Sequence, residues 1–97
     1  MAITAMSKPG APEDQMVEEM ARDGFIAAAK DYSSGATDPH QHDYDVCLYI
    51  LDGELRVSET VKSMVYRFGP GDKVFVDRGT VHAEEHGCLR MIVGRRH

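Results

Sequence analysis

Past Gly24 the chain loses helical periodicity and is interrupted by turn residues every few positions, and this constrains its fold more than anything else in the sequence. Short runs at Phe25–Lys30, Val46–Leu51, Glu54–Glu59, Met64–Phe68, Lys73–Val76, Val81–Glu85 and Leu89–Val93 alternate with breaks such as Asp52-Gly53, Gly69-Pro70-Gly71-Asp72 and Asp77-Arg78-Gly79. Strand-like runs at this spacing predict a small all-β sandwich or barrel. A parallel α/β sheet would need crossover helices, and no segment is long enough to supply them.

The residues before Phe25 read differently. Lys8-Pro9-Gly10-Ala11-Pro12 is turn-rich, and residues 1–11 are expected to form a flexible arm. Residues 12–24 predict a short amphipathic helix: Pro12 suits a first turn, Met16, Val17, Met20 and Ala21 make a narrow apolar stripe, and Gly24 is a stop signal. Of the twenty Leu, Ile, Val and Phe residues only Ile3 and Val17 precede Phe25, so the packed body is expected to span residues 25–97 as one domain. Val46-Cys47-Leu48-Tyr49-Ile50-Leu51 is apolar on both strand faces, and such a strand must be covered on both. One face belongs to the interior. The other needs the N-terminal segment or a second copy of the chain, and a homodimer is the expected cover.

Charge and cysteine content narrow the function. A formal charge of −5 gives no electrostatic footprint for a phosphate backbone, so no nucleic-acid partner is expected. No helix-turn-helix fits ahead of the β body. The longest apolar run, Val46–Leu51, is far short of a membrane span, and the first residues lack the apolar stretch of a secretory signal. The expected address is cytoplasmic, where Cys47 and Cys88 would be free thiols.

Four of the five histidines fall in two clusters, His40-Gln41-His42 and His82-Ala83-Glu84-Glu85-His86. Residues i and i+2 share a face only in an extended segment, about 6.6 Å apart, so HxH chelates from a strand and not from a helix. His82, Glu84 and His86 share one parity. Two facing strands could bring His40, His42 and His82 around one ion; the alternative is ordinary surface histidines near turns.

These residues carry a resemblance. The stretch from Gly35 through His40-Gln41-His42 to Asp52-Gly53 is similar to the first motif of the cupins, with a leading gap of four residues instead of five. The stretch from Gly71 through Asp77-Arg78-Gly79-Thr80-Val81-His82 to His86 is similar to the second. Both occur in order and cover most of residues 25–94. The resemblance implies a cupin-type jelly-roll β-barrel of six to eight strands with a metal inside, held by His40, His42 and His82. It also departs from the pattern. The motif glutamate falls on Val46, which cannot ligate. Asp45 is adjacent but of outward parity, unless a bulge turns it or Asp43 inward. The motif proline is Asp77, and the closing asparagine is His86, which is open to a role as fourth ligand, pocket-wall base or solvent-facing rim residue.

A three-histidine site suits a divalent transition metal, Zn, Ni, Fe, Mn or Co, with positions left open for water or substrate. Such an ion could polarise an oxygen-rich small molecule, with Glu84 or His86 as acid or base at the mouth. Tyr44, Tyr49 and Tyr66 are expected to pack on the strands. Two classes of function remain: a small metalloenzyme, or a noncatalytic ligand-binding or sensing module with or without metal.

Overall fold

The computed structural model describes residues 2–97. Nine strands and one helix follow in the order β1 (Ile3–Ser7), α1 (Glu13–Arg22), β2 (Ile26–Tyr32), β3 (Gly35–Ala36), β4 (Asp45–Asp52), β5 (Leu55–Glu59), β6 (Met64–Phe68), β7 (Asp72–Val76), β8 (His82–His86) and β9 (Leu89–Arg96). They form a five-stranded sheet, β1-β7-β4-β9-β2, and a four-stranded sheet, β3-β8-β5-β6. Every pairing is antiparallel. The two sheets face each other as a jelly-roll sandwich and do not close into a continuous barrel.

Alternation sets which side chains meet between the sheets. Leu48, Ile50, Val74, Val76, Leu89 and Met91 from the larger sheet pack on Leu55, Val57 and Phe68 from the smaller one. The β4–β5 hairpin depends on Gly53, whose φ of +91° is a left-handed conformation that Gly adopts without strain. A Cβ there would also collide with the Cys88 carbonyl oxygen.

The second apolar face of β4 is covered, as a strand greasy on both sides requires, by α1 of the same chain. Cys47, Tyr49 and Ile92 pack against Met16 and Met20 of α1 and against Phe25. The expectation of a homodimer loses this ground, because a two-methionine stripe plus Phe25 is enough to seal the face. A helix of ten residues is marginal alone, so α1 depends on this docking. Its end is a Schellman turn: the Phe25 amide donates to the Met20 carbonyl at 3.0 Å and the Gly24 amide to Ala21 at 3.0 Å. Glu13 and Asp14 in the first turn and Arg22 in the last complement the helix dipole. Pro12 sits at the N-cap, one residue outside the first turn.

An ion cluster rivets α1 to the sheet. Lys73 Nζ is 2.7 Å from Glu19 Oε2, with the lysine side chain only 4% exposed, and Lys8 Nζ is 2.8 Å from Glu19 Oε1. Hydrogen bonds first from Lys73 and then from Lys8 hold the Glu19 carboxyl down at about 2.

The sequence reading needs correction at the N-terminus. Within residues 1–11, expected to be a flexible arm, Ile3–Ser7 forms an edge strand registered on β7 from Ile3 opposite Val76 to Ser7 opposite Asp72. Its tie is almost wholly backbone: four of its five side chains are exposed, so no hydrophobic alternation advertises it. The two-residue strand β3 also went unpredicted, while β2, β8 and β9 run further toward the C-terminus than expected.

Candidate metal centre

His82 opens β8 and is 2% exposed. Its amide donates to the His40 carbonyl and accepts nothing; the return bond runs from the His40 amide to the His82 carbonyl, both at 2.9 Å. This single bridge places the two side chains on one face and fixes the HxH segment, which is extended but lies outside the named strands. The Gly79 amide donates to the His42 carbonyl at 2.8 Å, tying that segment to the loop that leads into β8. Residues 40 and 82, far apart in sequence, therefore meet through the backbone.

The three rings converge. Ring centroids lie 4.5 Å apart for His40 and His82, 4.9 Å for His40 and His42, and 5.6 Å for His42 and His82. One ring nitrogen from each lies within 4.8 Å of the others. His40 Nδ1 is 2.8 Å from the Asp38 carbonyl and His82 Nδ1 is 2.9 Å from the Thr80 carbonyl. A carbonyl only accepts, so each Nδ1 carries the proton and each Nε2 is left with a lone pair when its ring is neutral. Backbone partners on the far nitrogen are the usual way a metal-binding imidazole is oriented. The donor set thus fits a divalent transition metal, which would be held by His40, His42 and His82.

Electrostatics divide the three rings. Burial, reinforced by the neighbouring charges of His40 and His82, lowers the His42 pKa and favours its neutral form. The contact with Glu84 raises the His82 pKa against the opposing effect of burial, and the Thr80 carbonyl adds to the rise. Reciprocally, His82 lowers the Glu84 pKa.

The remaining candidates divide. Glu84 faces inward with its Oε1 3.3 Å from His82 Nε2. His86 does not join the three-histidine group: Nδ1 is 2.8 Å from the Gly87 carbonyl and the ring packs edge-on to Tyr32 at 5.8 Å. Its place as a direct ligand is therefore not supported by the geometry, because it lies two inward positions along β8 from His82. It instead lines a cavity of about 120 Å³ together with Glu84, Tyr32, His42, Tyr44 and Val46. Asp45 is turned outward, as its parity predicts, and accepts from the Arg78 amide at 3.0 Å and from Arg96 at 3.2 Å. Those bonds, the Arg78 amide first, hold its carboxyl down at about 2. Asp43 is exposed. Val46, in the place of the motif glutamate, faces the cavity and brings no donor.

Two residues gain significance only in the structure. Tyr44, expected merely to pack, stacks on His42 at 4.8 Å and lies under the Arg95 guanidinium at 5.3 Å. Glu59 pairs with His82 across the β5–β8 ladder and is 3% exposed, with Oε2 lacking any hydrogen-bond partner among the described residues. The signal for Glu59 was its parity: it shares the inward face of β5 with Leu55 and Val57. Tyr49 packs as expected, and its hydroxyl donates to the Lys8 carbonyl at 2.5 Å. Tyr66 stacks on Phe68.

Two facing antiparallel sheets, with histidines from two distant segments brought together at one end of β8, define a small jelly roll with a candidate metal site. The family described as Cupin domain matches residues 31–86, more than half of the chain, and the chain belongs to that family. Solved structures share the fold. A DUF861 family protein from Thermotoga maritima is 15% identical with a TM-score of 0.69, over 95% of this chain and 97% of that one. A putative ethanolamine utilization protein Q from Salmonella typhimurium is 17% identical with a TM-score of 0.64, over 97% and 67%. The polyketide cyclase RemF from Streptomyces resistomycificus is 22% identical with a TM-score of 0.64, over 96% and 63%. No curated protein matches the sequence. Among the described residues no helix is long and apolar enough to cross a membrane.

Proposed function

We propose that this cupin binds a divalent transition metal through His40, His42 and His82 and presents it to an oxygen-rich small molecule entering the cavity beside β8. The observation that carries this reading is the convergence of His40, His42 and His82, one ring nitrogen of each within 4.8 Å of the others, together with the Nδ1–carbonyl bonds that orient the His40 and His82 rings. Three such nitrogens repel one another unless a cation or a proton lies between them. A bound ion would supply Lewis acidity toward a ligand oxygen or acidify a bound water.

The chain's own residues do the rest. The Tyr44 ring supports His42 and fixes the plane of its imidazole. Arg95, held over Tyr44 on the cavity wall, offers a cation to an anionic ligand oxygen. His86 has Nδ1 committed to the Gly87 carbonyl, so Nε2 can hold or accept a proton at the cavity wall.

Metal content of protein purified without chelator or added metal tests the reading, alongside thermal melting with and without EDTA. The expected result is about one ion per chain, nearly none in His40→Ala, and a melting temperature lowered by about 10 °C or more on chelation. That shift follows from about 2.7 kcal/mol at a free-metal concentration a hundredfold above Kd and about 4–8 °C per kcal/mol at this size. Trace metal content that His40→Ala leaves unchanged, with identical melting in EDTA, would remove the metal site.

A further inference from the structure

We propose that Glu84 is the fourth metal ligand, a carboxylate delivered from β8 in place of the one that the first motif lacks on β4. The assignment rests on the reading of the histidine cluster as a metal site. β4 supplies no carboxylate: Val46 faces the cavity without a donor, and Asp45 is turned away onto Arg78 and Arg96. Glu84 lines the same cavity as Val46 and shares the inward face of β8 with His82 two residues before it.

The distance fits a shared ion. Ligand atoms bound at about 2.0–2.1 Å and separated by the tetrahedral angle stand about 3.3–3.4 Å apart. Glu84 Oε1 and His82 Nε2 are 3.3 Å apart, so this pair can share one ion, while Glu84 stands outside the group of three histidine nitrogens within 4.8 Å of one another and must turn about its own side-chain torsions to complete the set. The protonation pattern requires something between them. His82 Nδ1 already donates to the Thr80 carbonyl, so a neutral ring would set an Nε2 lone pair against a carboxylate oxygen. A divalent ion between them satisfies both acceptors at once. Charge adds a reason. Three neutral imidazoles leave a divalent ion with its full double charge beside a buried histidine, and one carboxylate halves it. Among the described residues His82 is the sole charged partner within ion-pair distance of Glu84, whereas the adjacent Glu85 pairs with Arg56.

Glu59 is the competing carboxylate. It is buried with an orphan oxygen, but it flanks His82 on the side opposite His40 and does not line the cavity. The two carboxylates are therefore separable by experiment.

Zn²⁺ and Co²⁺ affinities, read by competition with a chromophoric chelator, test the assignment in the full chain, with the Co²⁺ visible spectrum as a second readout. Glu84→Gln should weaken binding at least about tenfold and shift the Co²⁺ bands, and Glu59→Gln should change affinity less than about threefold. Adding Val46→Glu to Glu84→Gln should restore most of the affinity and the original bands. Metal-free circular dichroism checks folding; if Glu84→Gln does not fold, Glu84→Asp, which draws the carboxylate back by one methylene, takes its place with the same expected weakening. The assignment is overturned if Glu84→Gln binds within about threefold of wild type with unchanged Co²⁺ bands, or if Glu59→Gln alone produces the loss. Failure of the wild-type chain to bind either ion defeats the histidine site itself. Loss of binding in His40→Ala but not in Glu84→Gln defeats the fourth ligand alone.

Discussion

Glu19→Gln should change how stability responds to acid. In the folded chain Lys73 and Lys8 hold the Glu19 carboxyl at about 2, against an ordinary value of 4.5. Each tenfold difference in proton affinity is worth about 1.4 kcal/mol, so the full displacement corresponds to about 3 kcal/mol. The Glu19 side chain keeps 29% exposure, and solvent screening lowers the useful figure to about 2 kcal/mol. Because the folded carboxyl is the more acidic one, this stabilisation is complete above the unfolded value near 4.5. It disappears as pH falls toward about 2. Urea denaturation of both proteins from pH 6 to pH 2.5 measures it. At pH 6 the variant should be weaker by about 3–5 kcal/mol, since Lys73 is left buried without its nearest partner. Below pH 5 the wild type should lose stability faster, so that the gap narrows by about 2 kcal/mol. Asp45 and the other carboxylates are common to both chains and cancel in the difference. In Glu19→Gln/Lys73→Met the stranded charge is gone, so much of the loss at pH 6 should return while the acid response stays shallow. Parallel stability curves for wild type and Glu19→Gln across this range would refute the account of the cluster.

Met20→Ala should destabilise by about 2–5 kcal/mol, because Met20 is fully buried between α1 and the sheet; a denaturation midpoint shifted by less than about 1 kcal/mol would mean that the helix is not docked as described. Of the two thiols, only Cys88 should react with a disulfide reagent at pH 8. Cys47 is buried and its thiol is pushed up to about 12 by that burial, so simultaneous modification of both contradicts the packing. Gly53→Ala should cost more than about 2 kcal/mol, since a positive φ and a backbone collision combine there. Gly10→Ala, at φ +77° with open space around it, should cost about 1 kcal/mol, and equal losses in urea titrations would show that the collision is relieved.

Much of this architecture is legible in the residues, and the exceptions share a cause. The two-sided greasiness of Val46–Leu51 announces a covered strand, and the period-two spacing of His82, Glu84 and His86 puts all three on one face. What covers β4 was not legible, because a helix with a two-methionine stripe looks too slight until Phe25 and the Lys73–Glu19 contact are added to it. β1 was missed because an edge strand can be held by its backbone alone. Asp45 kept its outward parity, yet its partners Arg78 and Arg96 lie 33 and 51 residues away, a distance across which local pattern says nothing. His86 shares the parity of His82 but sits at the far end of a short strand, so parity fixed its face and not its distance from the other rings.

The edge strand at the N-terminus has a mechanical consequence. The carbonyl of Ala2 accepts from the Asp77 amide at 3.0 Å and from the Thr80 hydroxyl at 3.5 Å, while Thr80 in turn offers its own carbonyl to His82. The opening residues thus act as a guy-rope on the loop that aims the buried imidazole. Whatever peels β1 from its neighbour, a protease cut in the Pro9–Pro12 turn included, should slacken that loop and be felt at the three histidines long before the sandwich comes apart.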